Sequence, residues 1–117
     1  MKKRAWIVAI MIALAISGGS ALAAVLSNLS GQSCGEFEGT WHFVNNQTGG
    51  AAAGSLTAYF DSAPGGITVG PSSVLANTQH FYVIASGALL GAQTDLPGRL
   101  VLSDFTCSGK KTGGGGK

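Results

Sequence analysis

Beyond residue 26 no stretch keeps a 3.6-residue apolar period. Short runs instead alternate apolar and polar positions and are bounded by Gly, Pro, Asn and Asp, the mark of half-buried strands. In "GTWHFVN" (39–45), Trp41 and Phe43 share one face, and His42 and Val44 the other. "SLTAYF" (55–60) puts Leu56, Ala58 and Phe60 opposite Thr57 and Tyr59. "DSAPGG" (61–66) reads as a turn, because Pro fixes its φ and Gly tolerates positive φ. "ITV" is a short strand stopped by Gly70-Pro71, and "SVLA" is another candidate. The longest run, "QHFYVIAS", sets Phe81, Val83 and Ala85 against His80, Tyr82 and Ile84. A weaker run, "ALLGAQT", and an "LPG" turn lead into "RLVLSDFTC". Six or seven short strands predict an all-β fold, an antiparallel β-sandwich, with an immunoglobulin-like order as one candidate.

The first 23 residues follow another rule. Lys2, Lys3 and Arg4 precede an unbroken apolar run over 5–16, then Ser17-Gly18-Gly19 and a small-x-small Ala21-Leu22-Ala23. These are the three parts of a cleavable secretory signal peptide. The apolar run is short of the roughly 20 residues that span a bilayer. The expected product is residues 24–117, exported to the cell surface, the medium or the periplasm, with no membrane span. Its expected parts are a polar leader (24–33), one domain (34–108) and a flexible Gly/Lys tail (109–117).

Removing the signal changes the charge. Arg99, Lys110, Lys111 and Lys117 stand against Glu36, Glu38, Asp61, Asp95 and Asp104, so the whole-chain +2 becomes −1. Three of those four cations lie in the tail, and a body with one Arg lacks the basic face of a nucleic-acid binder. Cys34 and Cys107 are the only cysteines and bracket the body. In an exported chain an even pair reads as a disulfide, worth on the order of 4 kcal/mol by loop-closure arithmetic. A lipid-bearing cysteine would directly follow the apolar signal segment, and Cys34 does not.

Candidate chemistry is thin. His42 and His80 are the only histidines, each two residues after a Thr and followed by Phe. An offset of 38 superposes the two segments, as an internal duplication or as equivalent strands of two sheets. A metal needs a third and usually a fourth ligand, and none of Asp61, Asp95 and Asp104 has local ligand spacing to either His. The expected role of both rings is a hydrogen bond on a half-buried strand face, with no metal and no cofactor. There is no G-x-S-x-G elbow, no free thiol once the bridge forms, and no cleft-forming carboxylate pair. "GGAAAG" (49–54) lacks the Lys of a phosphate loop. The sequence therefore predicts no enzyme. Asn28 and Asn46 head N-x-S/T sequons, but a bacterial-style signal argues against their use.

Taken together, "GTWHFVNNQTGG", "NTQHFYV" and "LVLSDFTC" resemble an uncharacterised β-rich module of exported and cell-surface bacterial proteins. The resemblance covers roughly residues 34–107, implies secretion and a β-rich fold, and brings no catalytic residues. Two functions follow as expectations. One is a structural or adhesive module working through surfaces and strand edges, with other surface proteins or its own copies as partners. The other is a small carbohydrate-type binding module with Trp41, Tyr59 or Tyr82 as a stacking platform.

Overall fold

The computed structural model describes residues 23–111, with the side chains of Lys110 and Lys111 left aside. The expected signal segment, up to Leu22, and the tail beyond Lys111 lie outside the described residues. Seven strands form: β1 (Phe37–Asn46), β2 (Leu56–Phe60), β3 (Ala63–Val69), β4 (Ser73–Val74), β5 (Thr78–Ala85), β6 (Leu89–Thr94) and β7 (Arg99–Lys111). They make two antiparallel sheets, β4-β5-β1-β7 and β3-β2-β6, packed as a β-sandwich. The order is not that of an immunoglobulin domain, because here the first strand is central in its sheet. No helix among the described residues is long and apolar enough to cross a membrane.

The expected alternation sets the core. Trp41, Phe43, Leu56, Ala58, Phe60, Phe81 and Leu100 are fully buried between the sheets. Trp41 meets Phe60 edge-on and stacks on Phe105, and its Nε1–H donates to the Ala85 carbonyl at 3.0 Å. Two amides share this interior. Gln79 accepts from the Gly54 N–H and donates to the Ala51 and Ala52 carbonyls, fixing the 51–54 loop. Asn45 donates to the Pro97 carbonyl at 2.7 Å. Cys34 and Cys107 form a disulfide with Cα atoms 5.4 Å apart. The bridge ties the segment before β1 to β7, its sheet neighbour. A Cβ on Gly39 would lie 2.5 Å from Cys34 Sγ and 2.8 Å from Trp41 Nε1, so only glycine fits where bridge and indole meet.

Three expected boundaries move. The turn expected over 61–66 is only Asp61-Ser62, and β3 begins at Ala63. Pro64 is tolerated because β3 is an edge strand, where a missing N–H is harmless. Gly66, at φ 95°, lies in a bulge opposite Tyr59. The 24–33 leader is part of the domain. Ala24 and Leu26 are buried, Leu26 bridges Leu100, and backbone bonds run from Ala24 and Leu26 to Leu96 and Ala92. Ala24 and Leu26 cover core while Val25 and Leu29 stay exposed, and the side chains of Ser27, Asn28 and Gln32 serve the backbone. Gly109 to Lys111, expected in the tail, belong to β7, which stays paired with β1 as far as Lys111 opposite Phe37.

Candidate functional site

Among the described polar side chains, one cluster connects three strands. It lies on the outer face of the four-stranded sheet. Register puts His42 opposite Tyr82 and Val44 opposite His80, so the two histidines are diagonal neighbours on one face. On its other flank β1 meets β7, where Phe43 pairs with Leu102 but His42 pairs with Asp104. Ser103 is thus an extra residue, and this bulge brings Asp104 rather than Ser103 opposite His42.

Asp104 Oδ2 stands 3.2 Å from His42 Nδ1, and His42 Nε2 stands 2.9 Å from His80 Nδ1. The imidazole centroids are 5.1 Å apart with planes inclined by 21°. With the nitrogens 2.9 Å apart, the rings must lie edge to edge and nearly coplanar rather than face to face. Tyr82 covers a face of the His42 ring at 4.4 Å and 9°. The His42 side chain is 15% exposed, whereas that of Asp104 is 67% exposed.

Hydrogen bonding fixes the protons. An ionised carboxylate only accepts, so His42 carries a proton on Nδ1. A neutral His42 then has its lone pair on Nε2 and takes a bond from His80 Nδ1–H. A protonated His42 reverses that bond. Either way the 2.9 Å line holds one proton, never two. The expected hydrogen-bonded role of both histidines matches this geometry, and their partnership answers the repeated Thr-x-His-Phe pattern. The two strands are neighbours in one sheet, not equivalents in two. Asp104 had no signal in the sequence, since a bulge brings it into place.

The aromatic platform is not assembled. Trp41 is 0% exposed, so its expected role as a surface contact is corrected: its ring fills the core. Tyr59 is half-buried on the three-stranded sheet, where its hydroxyl accepts from Gln93 Nε2 at 3.4 Å. Tyr82, 48% exposed, is on the other sheet. Two further acids hold loops: Asp61 accepts from the Ala88 N–H and Asp95 from the Ser55 N–H. Among the described residues no group of three or more His, Cys, Asp or Glu is placed to hold a metal ion.

No family model matches the chain, and no curated protein or solved structure matches it.

Proposed function

We propose that this chain is a secreted, non-catalytic structural or adhesive module, acting at or outside the cell surface by pairing a strand edge with a partner. A disulfide in a small β domain fits an extracellular location. The signal-like first 23 residues and the resemblance to an exported bacterial module support the same compartment.

The observation that carries the reading is how the sheet edges are treated. Residues 24–33 run between β6 and β7, bridging Gln93 in β6, Ala88 just before β6, and Leu100 in β7. One side of the sandwich is thereby covered. On the other side β4 is two residues long, but β3 is a seven-residue edge strand, "APGGITV", without a single charge. Natural edges are commonly protected by lysine or an inward charge, and Pro64 guards only the start of this one. Ile67–Val69 remain as a template for a partner strand, from another surface protein or a second copy. The carbohydrate reading loses support, because its three aromatic residues occupy a core and two opposite faces.

The test is the solution mass of residues 24–117 against concentration, beside a glycan array. Assembly that rises with concentration and falls in Thr68→Lys, on the open edge, is the expected result. A monomer at all concentrations with a distinct glycan hit would replace this reading with the carbohydrate one.

A further inference from the structure

The geometry points to a copper site: we propose that His42 Nε2 and His80 Nδ1 chelate one Cu(II) ion, with Asp104 as the positioning residue. The sequence argues against metal because no third ligand has local spacing. That objection holds for a closed tetrahedral zinc site, which takes four ligands. A tetragonal Cu(II) ion asks less, since two cis imidazoles hold it and water fills the remaining positions.

Distance favours that ion. Two nitrogens bound cis at roughly 2.0 Å stand roughly 2.8 Å apart, whereas a tetrahedral ion sets them at about 3.3 Å. The observed 2.9 Å is the length of a hydrogen bond that shares one proton, and it lies closer to the cis value than to the tetrahedral one. The rings face each other head to head along that line, so an ion beside it replaces the shared proton only as the rings tilt in their own planes until the lone pairs converge. The atoms on that line are the ones a metal would use.

The rest of the cluster matches a metal-binding histidine. A ligating imidazole commonly gives its other N–H to a carboxylate, which fixes the tautomer and raises donor strength. Asp104 stands in that relation to His42, at the nitrogen away from His80. The Tyr82 ring holds the same imidazole flat. The ring is thus oriented on β1 by residues of β5 and β7 before any ion arrives. Proton balance is simple. As Cu(II) binds, His80 loses the proton on Nδ1 and takes one from solvent on Nε2, so both rings stay neutral and no net proton is released.

The experiment is titration of the oxidised chain, residues 24–117, with CuCl2, read by calorimetry and by pulsed electron paramagnetic resonance. One equivalent should bind, with the remote nitrogens of two imidazoles coupled to the electron spin. His42→Gln and His80→Gln should each weaken binding at least tenfold. Asp104→Asn should weaken it about tenfold while both couplings persist. Binding that survives unchanged in His80→Gln, or a spectrum with fewer than two imidazoles in the unsubstituted chain, overturns the proposal. So does the absence of binding. The spectrum needs no variant, so a misfolded substitution cannot decide the outcome.

Discussion

Thr48 is 2% exposed, and its hydroxyl oxygen is buried with no hydrogen-bond partner among the described residues. A buried hydroxyl without a partner gives up its hydration for nothing. Thr48→Val keeps the branched shape and removes that loss, so unfolding in urea should show unchanged or higher stability, by up to about 1 kcal/mol. Most buried substitutions go the other way. The inward apolar residues were legible at this scale, because Trp41, Phe43, Phe81 and Val83 follow a period of two. Gln79 and Asn45 were not. They occupy inward positions of the same period, and their reason is the backbone of loops 51–54 and 95–98, which no local pattern announces.

Asn28 shows how an element can depend on one side chain. Its Nδ2–H donates to the Leu102 carbonyl at 3.0 Å, and its Oδ1 accepts from the Leu102 N–H at 2.9 Å. The amide imitates one residue of a paired strand along the edge of β7. Asn28→Ala should cost about 1–2 kcal/mol, since it strips partners from a part-buried N–H and C=O. Hydrogen exchange at the Leu102 amide should speed up well beyond that at amides central to β5. In the sequence Asn28 reads as a glycosylation sequon and its neighbours as a polar leader. Its partner is 74 residues away, and separation on that scale hides the role. The Ser103 bulge is hidden for a similar reason. "LVLSDFTC" alternates well enough to look regular, and only pairing with β1 shows the slipped register that makes Asp104 a partner of His42.

For the whole molecule, the covalent brace and the strand count could be read early. Two cysteines flank a run of short alternating segments, and the bridge closes over 73 residues. Replacing both by Ser should lower stability by about 4 kcal/mol in the loop-entropy model, measured as a fall in the urea midpoint with the far-ultraviolet spectrum retained in buffer. If the loss is much smaller, the segment from Ala24 to Ser33 holds the chain ends together without the bridge. Strand order was not legible. Alternation tells which face of a strand is buried but not which strand lies beside it, and here the sheets interleave early and late strands.

That interleaving has a kinetic consequence. β1 is the first strand to be made, and its neighbours, β5 and β7, are among the last. β1 has no partner strand in the first half of the chain, where only the β2–β3 hairpin of the other sheet is local, so the four-stranded sheet cannot form until nearly all seven strands are present. Contacts this far apart in sequence put folding in the slow range for small domains, milliseconds to seconds. During that interval the β1 segment is an unpaired apolar strand. A chain built this way tolerates being threaded through a narrow passage end first, because its early strands form at most a single hairpin to undo.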